Sequence, residues 1–234
     1  MTRDELLSLD PKVFDNFVLS QDEILSWFST LNAFWEYSGN PKDPHAKLTT
    51  GKCSNGFFDC LRVIQYLNLS RILANQLAKK IRKVIGNTKV DRTIGSPMAD
   101  IEFAREVGWA IGAKASNFVE KDPKIKGKMV WERMTIPENE TVLQIEELTT
   151  TAGTLLSVRA AIDESNPTPI NWLPVVGILV HRPPKLPAGP YDNRQIISLI
   201  EKEIWAVDPP CELCKKGSPR WRPKTHWKEL TGKE

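Results

Sequence analysis

Two stretches in the first 90 residues have the apolar spacing of amphipathic helices. Between Asn68 and Gly86, apolar residues recur every three or four positions and basic residues occupy the opposite face, which predicts a helix that ends at the glycine. A second helix is predicted to begin at Gln21, because Ser20 and Glu23 have the spacing of a capping box ahead of an apolar run.

Beyond residue 88, short apolar runs alternate with further helical patterns. The predicted strands cover Val90–Ile94, Ala115–Val119, Thr141–Glu146 and Leu173–Val180, and the predicted helices cover Met98–Ile111 and Gly153–Asp163. Strands that alternate with helices are typical of a parallel sheet. We therefore expect an α/β fold with a central, mostly parallel sheet flanked by helices.

The pattern divides the chain into three parts. We expect an N-terminal cap, or hood, over residues 1–67, a core over 68–208 and an irregular C-terminal tail over 209–234. Within the cap, Asn55–Arg62 is expected to be extended. Within the core, the lysine-rich run Lys121–Lys128 contains Pro123 and Gly127 and predicts an exposed loop.

Composition narrows the class of protein. The chain has 234 residues, 41% of them hydrophobic, which suits one α/β domain of ordinary size. Its net charge of +3 is too small to indicate nucleic-acid binding. Charged residues interrupt Met1–Asp10, and the apolar run Trp172–Val180 is shorter than the roughly 20 residues of a membrane helix. We expect a cytoplasmic protein with neither nucleic acid nor a membrane as partner.

Acidic and threonine residues follow the third predicted strand. Glu146 and Glu147 end the strand, and the next predicted helix is entered through Thr150, Thr151, Ala152, Gly153 and Thr154. Parallel sheets bind ligands at the carboxyl ends of their strands, and free N–H groups at the start of a helix attract phosphate. These residues predict a phosphate-binding loop beside paired carboxylates. A threonine-rich helix cap is the alternative, but it leaves the paired acids unexplained.

The same run resembles the phosphoribosyl pyrophosphate signature of the type I phosphoribosyltransferases. The resemblance implies that Glu146 and Glu147 contact the ribose hydroxyls, that the following loop holds the 5-phosphate, and that Mg²⁺ accompanies phosphoribosyl pyrophosphate. The family usually has Asp at the position of Glu147, and Gly is common at that of Ala152. The extra methylene of Glu147 moves its carboxylate by roughly 1.5 Å.

A second segment, from Leu48 to Asp59, resembles the base site of the orotate phosphoribosyltransferases within this family. There a Leu-x-Ser-Gly-basic-x-Ser run leads to a pair of aromatic residues. The resemblance implies that Lys52 is the basic residue of the substrate site and that Phe57 and Phe58 border the base. Ordinary core packing is the alternative for both rings.

A third segment lies between the first predicted strand of the core and the helix that follows it. Gly95, Ser96 and Pro97 stand where the family has its pyrophosphate loop, which is usually richer in glycine. The resemblance implies that backbone N–H groups here bind pyrophosphate oxygens.

The lysine-rich run resembles the family's flexible catalytic loop. Lys121 and Lys124 match its two lysines, Lys126 replaces its His, and Glu120 replaces an Arg. In the family this loop closes over the neighbouring subunit's site and neutralises the departing pyrophosphate. The resemblance therefore implies a homodimer with shared active sites.

The fourth predicted strand ends in Val180-His181-Arg182, similar to the family's Val-Asp-Arg, whose Arg pairs with the carboxylate of orotate. The implied activity is transfer of ribose 5-phosphate to orotate, giving orotidine 5′-monophosphate and pyrophosphate in pyrimidine nucleotide biosynthesis. His181 stands in place of the family's Asp, which leaves open whether the acceptor is orotate or another base. Glu147, Ser96 and Glu120 leave open a non-catalytic, nucleotide-sensing regulator with the same fold.

The tail contains one CxxC pair, Cys211 and Cys214, and no second pair nearby. A zinc site needs four ligands, so the pair is either half of a Zn²⁺ site completed by a distant residue or another subunit, or a tight turn with two free thiols. Cys53 and Cys60 are isolated in the sequence and are expected to be reduced thiols.

Overall fold

A computed structural model describes residues 1–125 and 127–232 of the chain. One turn of 3₁₀-helix covers Pro11–Phe14. The α-helices are α1 (Arg3–Leu7), α2 (Gln21–Thr30), α3 (Leu61–Ile64), α4 (Leu67–Ile85), α5 (Asp100–Ile111), α6 (Gly153–Ser165), α7 (Glu212–Lys215) and α8 (Trp227–Thr231). The strands are β1 (Phe34–Glu36), β2 (His45–Lys47), β3 (Cys53–Ser54), β4 (Gly56–Phe58), β5 (Arg92–Gly95), β6 (Ala115–Phe118), β7 (Glu120–Lys121), β8 (Met129–Val130), β9 (Thr141–Thr149), β10 (Asn171–His181), β11 (Gln195–Glu201), β12 (Ala206–Val207) and β13 (Arg220–Trp221).

Five strands form the central sheet, in the order β11-β10-β9-β5-β6, and every neighbouring pair is parallel. Helices α4 and α5 pack on one face, and α6 packs on the other, against Val176 and Ile178. Helix α4 packs closely on the sheet at Gly177, where an added Cβ would lie 2.8 Å from the Cδ1 atoms of both Ile145 and Ile81. The predicted parallel sheet with flanking helices is confirmed.

The two helices predicted near the N-terminus are present. Helix α2 begins after Ser20, whose hydroxyl accepts the Glu23 N–H, while the Glu23 carboxylate accepts the Ser20 N–H. Helix α4 is followed by Gly86 at φ 57°, a backbone conformation that glycine adopts without a Cβ clash.

Several element boundaries differ from the prediction. Strand β9 continues past Glu146 to Thr149, because its last residues pair with β10 through Leu148↔Val180 and Thr149↔His181. The segment from Asn55 is extended only as far as Phe58, and helix α3 begins at Leu61. Strand β11 was not predicted; it follows a proline-rich connection and adds a parallel edge strand beside β10.

A smaller four-stranded sheet joins the N-terminal and C-terminal segments in the order β12-β3-β2-β13. The tail, expected to be irregular, contributes two short helices and strand β13 among its loops. The C-terminal segment therefore packs directly on the hairpin formed by β2 and β3. No helix within the described ranges has the length and apolar content needed to cross a membrane.

Candidate active site

Three carboxylates meet at the carboxyl end of β9. One oxygen from each of Asp100, Glu146 and Glu147 lies within 4.8 Å of the others. The Ser96 hydroxyl lies 3.2 Å from a Glu146 oxygen and hydrogen-bonds to Asp100, which also accepts the backbone N–H of Glu147. The other oxygen of Glu146 is buried without a hydrogen-bond partner among the described residues. This cluster has the oxygen donors that a divalent cation requires.

Burial and mutual repulsion disfavour the charged form of these carboxylates. Burial raises the pKa of Glu146 to about 8, and the nearby Glu147 carboxylate adds to the rise. Burial also raises the pKa of Glu147 to about 8, with repulsion from Asp100 as the next cause. The pKa of Asp100 is raised well above its usual range by burial and by Glu146. Strongly perturbed carboxylates at a strand end identify a candidate functional site.

The predicted pyrophosphate loop connects β5 to α5. Gly95 is required for packing, since an added Cβ would lie 2.7 Å from the Asp100 carbonyl. Ser96 is buried against the carboxylate cluster, and Pro97 is partly exposed. No role in the site was predicted for Asp100, the first residue of α5. Its carboxylate lies at the helix N-terminus, the position where a phosphate is ordinarily stabilised.

The predicted phosphate loop turns from β9 into α6 with Ala152 at φ 60°, a left-handed conformation that explains why glycine is common there. Ala152 makes no side-chain cap, unlike the Ser20 and Thr2 caps of α2 and α1. The first N–H groups of α6 therefore have no capping side chain. A Cβ added to Gly153 would meet nothing within 4 Å, so the backbone is open to a ligand at this point.

A cavity of about 480 Å³ brings most of the predicted substrate residues together. Its lining includes Lys52, Phe57, Thr150, Thr151, Ala152, Gly153, Thr154 and Arg182. Lys52 also lies 3.9 Å from Asp208. Phe58 is placed elsewhere: it is buried against Phe28 and stacks on Phe34 at 4.4 Å, so it packs in the core while Phe57 lines the cavity.

Arg182 enters this cavity just after β10. Its backbone N–H donates to the Thr149 carbonyl at 2.9 Å. Its Nε and Nη1 atoms are buried and have no hydrogen-bond partner within the described part of the chain. Burial lowers the pKa of the guanidinium, with Cys60 and Glu147 as nearby groups that act in the opposite direction. A buried guanidinium with free donors is suited to an anionic ligand.

The His181 ring makes its contacts with residues that do not line the cavity. Its Nδ1 lies 2.8 Å from a Glu201 oxygen, and its Nε2 lies 3.4 Å from the hydroxyl of Tyr191. The ring is 1% exposed. His181 therefore joins β10 to β11 and is not among the residues that line the cavity.

The lysines of the predicted catalytic loop lie on an exposed hairpin formed by β7 and β8. Lys121 and Lys124 are exposed and lie outside the cavity lining. Lys126 lies outside the described residues. Asp122 shapes the turn by accepting the N–H groups of Lys124 and Ile125 at 2.8 and 3.0 Å. Within their own chain, Lys121 and Lys124 are therefore not part of the cavity.

A second cluster of chemically active side chains lies between the two termini. Single ligand atoms from His45, Cys53, Cys211 and Cys214 lie within 4.8 Å of one another. Sequence reasoning identified the CxxC pair but missed the other two members, and Cys53, expected to be isolated, contacts Cys214 at 3.6 Å. No sequence spacing could have found them, because the fold brings them together. The tail residue His226 is not among these four and stacks on Trp221 at 5.1 Å.

No family model matches this chain. An orotate phosphoribosyltransferase of Heliobacterium modesticaldum is 32% identical over 213 residues, which cover 88% of this chain and 98% of the relative. One of Thermoanaerobacter sp. is 31% identical over 206 residues, covering 88% and 97%.

A solved structure matches the fold of this chain. The crystal structure of orotate phosphoribosyltransferase from Aeropyrum pernix matches with a TM-score of 0.53 at 14% identity, covering 76% of this chain and 93% of that chain. At this identity the match supports the type I phosphoribosyltransferase fold alone. The matches to the two sequence relatives cover nearly the whole length of each relative, and they identify the family of this chain. This chain belongs to the orotate phosphoribosyltransferase family.

Proposed function

We propose that this chain transfers ribose 5-phosphate from phosphoribosyl pyrophosphate to orotate. The bond between ribose C1 and the pyrophosphate oxygen breaks, a bond from C1 to a ring nitrogen of orotate forms, and orotidine 5′-monophosphate and pyrophosphate are released. One observation carries the proposal. A single cavity joins the uncapped start of α6, which suits a phosphate, to the buried and partly unpaired guanidinium of Arg182, which suits a carboxylate.

Arg182 and Phe57 form the base site in this proposal. The free Nε–H and Nη1–H donors of Arg182 match the two oxygens of the orotate carboxylate. Phe57 borders the planar ring, and Lys52 adds a positive charge to the same cavity wall. Uracil has no carboxylate and would leave the guanidinium unpaired.

The 5-phosphate is assigned to the loop from Thr150 to Thr154. Its hydroxyl groups and the first N–H groups of α6 supply donors, and Gly153 leaves room for close approach. Binding at this loop fixes the far end of the ribose, so that C1 is directed toward the base site.

Mg²⁺ is proposed to bind at the carboxylate cluster of Asp100, Glu146 and Glu147 together with phosphoribosyl pyrophosphate. The fit rests on the clustered oxygens and on the buried, unpaired oxygen of Glu146. When bound, the ion supplies positive charge against the developing charge of the pyrophosphate. The residues themselves hold the ribose hydroxyls, and Ser96 orients two of the three carboxylates.

Lys121 and Lys124 are proposed to act across a homodimer. Both lie on the exposed hairpin and are outside their own chain's cavity lining, which agrees with a role at the neighbouring subunit's site. There they would neutralise the leaving pyrophosphate. A cytoplasmic location stays a prediction from the sequence, and Zn²⁺ at Cys211 and Cys214 has no chemical step in this reaction.

One observation favours a second candidate, a non-catalytic protein that binds a nucleotide. The Asp100 carboxylate lies at the N-terminus of α5, where a pyrophosphate would otherwise be stabilised. Such a protein would keep the 5-phosphate loop and bind orotidine 5′-monophosphate without turnover.

A pyrophosphate-release assay separates the two candidates. Orotate, uracil, adenine and hypoxanthine are offered separately with phosphoribosyl pyrophosphate and Mg²⁺. We expect release with orotate at a rate well above that with the other bases. Equal release with uracil or a purine would contradict the orotate assignment. Binding of orotidine 5′-monophosphate without release from any base would favour the non-catalytic candidate.

A further inference from the structure

The spacing of His45, Cys53, Cys211 and Cys214 matches the edges of a tetrahedron around one metal ion. Zn–S bonds of about 2.3 Å and Zn–N bonds of about 2.0 Å place sulfurs about 3.8 Å apart and sulfur and nitrogen about 3.5 Å apart. In the structure, Cys214 Sγ lies 3.6 Å from Cys53 Sγ and 3.7 Å from Cys211 Sγ. His45 Nε2 lies 3.5 Å from Cys211 Sγ and 3.4 Å from Cys214 Sγ.

The hydrogen bonds of His45 prepare its Nε2 lone pair for a metal. The Ser218 hydroxyl donates its proton to the Asp43 carbonyl at 2.6 Å, so its oxygen is left as the acceptor for His45 Nδ1 at 2.8 Å. The proton of the imidazole is therefore on Nδ1, and the unprotonated Nε2 faces the sulfurs. Metal-bound histidines characteristically have such a partner on the second nitrogen.

The charges around the cluster agree with three thiolate ligands. Three thiolates and one imidazole around Zn²⁺ carry a net charge of −1, and the Arg220 guanidinium lies 3.5 Å from Cys53 Sγ. The Cys214 N–H donates to Cys211 Sγ at 3.4 Å, as expected for a sulfur that carries negative charge. His45 and Cys53 are fully buried, and Cys211 is 6% exposed.

We infer that His45, Cys53, Cys211 and Cys214 bind one structural Zn²⁺ that fastens the C-terminal segment to the β2–β3 hairpin. All four positions are filled by protein ligands, which is the arrangement of a structural rather than a catalytic zinc site. The hairpin carries His45 in β2 and Cys53 in β3, and its tip contributes Leu48, Thr49, Thr50 and Lys52 to the lining of the candidate active-site cavity. The ion thus holds one wall of the base site in place.

Metal analysis of the full-length protein, purified without added metal, tests the site. We expect close to one zinc per chain. Cys214→Ser and His45→Asn should each lose most of it, whereas the matched controls Cys60→Ser and His226→Asn should keep it. Ser218→Ala should retain the four ligands but weaken zinc affinity about tenfold, because the orienting partner of His45 is removed.

Cobalt substitution keeps the test independent of variant folding. Co²⁺ added to metal-depleted wild-type protein should give the intense visible bands of a tetrahedral site and thiolate-to-metal charge-transfer bands. A wild-type protein without zinc that also fails to give these bands would overturn the inference. So would a disulfide among the three cysteines in freshly purified protein, or equal metal loss from Cys60→Ser.

The effect of the metal ion on the base site rests on the proposed function, and it is measured separately through orotate binding. Metal-depleted protein should bind orotate at least about tenfold more weakly in calorimetry, and added Zn²⁺ should restore binding. Phosphoribosyl pyrophosphate binding should change less, because its loop lies on β9 and α6. If zinc is present but orotate never binds, the metal site stands and the proposed function fails. Unchanged orotate affinity on depletion would overturn the link between the ion and the base site.

Discussion

The hydroxyl of Tyr191 donates a hydrogen bond to the backbone carbonyl of Thr150 at 3.0 Å. This contact links the connection between β10 and β11 to the loop assigned to the 5-phosphate. The Tyr191 hydroxyl also lies 3.4 Å from His181 Nε2, and the two rings meet edge to face at 5.8 Å. His181 is fixed in turn by Glu201. Glu201 of the edge strand β11 thus supports the phosphate loop through the side chains of His181 and Tyr191.

Tyr191→Phe should weaken phosphoribosyl pyrophosphate binding. The lost hydrogen bond contributes about 1 kcal/mol, so we expect KM for this substrate to rise about fivefold while KM for orotate changes little. Steady-state kinetics with each substrate varied in turn measures the two KM values separately. Tyr66→Phe is the matched control, since the Tyr66 hydroxyl accepts a hydrogen bond from Arg3 and neither residue lines the cavity. Equal changes in both KM values would count against a positioning role.

Stability should depend on pH through the carboxylate cluster. The pKa values of Glu146 and Glu147 are about 8 in the folded chain, above their ordinary value of 4.5. Between these pH values the folded state binds more protons than the unfolded state, so the free energy of unfolding falls as pH rises. In magnesium-free buffer, we expect Tm to fall by at least about 4 °C between pH 5 and pH 8.

Glu146→Gln and added Mg²⁺ separate this effect from other titrations. The variant has one carboxylate fewer, so its Tm should fall less than that of the wild type over the same range. Mg²⁺ should raise the wild-type Tm more at pH 8 than at pH 5, because cation binding needs the deprotonated carboxylates. A wild-type Tm slope identical to that of the variant would remove Glu146 from the pH dependence.

Lys121→Ala should lower turnover far more than stability, because the side chain is exposed on the hairpin. If the loop acts at the neighbouring subunit's site, mixing this variant with inactive Glu146→Gln should restore part of the activity. Hybrid dimers carrying two distinguishable tags allow the measurement. No recovery in demonstrated hybrids would contradict a shared active site. Lys83→Ala, on the far end of α4, is the matched control.

The sequence predicted the parts of the site that lie in one continuous segment. The role of the Glu146–Thr154 run could be predicted from the order of its residues alone. A strand end, paired acids and an uncapped helix start are all local features of the sequence. Phe57 and Phe58 are adjacent and equally aromatic, yet only Phe57 lines the cavity, since successive strand residues point to opposite faces.

Features that depend on long-range packing were not predictable. Asp100 reaches the carboxylate cluster only because α5 begins beside the end of β9. Cys53 and Cys214 are separated by 161 positions and meet only through the smaller sheet. Strand β11 was missed because a lone apolar run after a proline-rich connection has no helix after it to suggest the alternating pattern.

Gly153→Ala should block the phosphate loop without harming the fold. An added Cβ meets no protein atom within 4 Å, and alanine is a better helix residue than glycine, so Tm should stay the same or rise slightly. The methyl group would occupy space at the cavity lining, and KM for phosphoribosyl pyrophosphate should rise at least about tenfold. Gly189→Ala is the matched control, because its added Cβ also meets open space. An unchanged KM in Gly153→Ala would place the phosphate elsewhere.

Arg182→Met should erase the preference for orotate over uracil. In the wild type, uracil leaves a buried guanidinium unpaired, which costs about 3 kcal/mol and gives orotate an advantage of roughly a hundredfold in kcat/KM. Methionine has similar length and no charge, so the advantage should fall to within a few fold. Stability should hold or increase, because two buried donors without partners are removed. Phosphoribosyl pyrophosphate binding should be retained, since its loop follows β9 while Arg182 follows β10. Arg105→Met, on the exposed side of α5, serves as the control. If Arg182→Met keeps the wild-type preference, the carboxylate of orotate is recognised by another group, with Lys52 next in the same cavity.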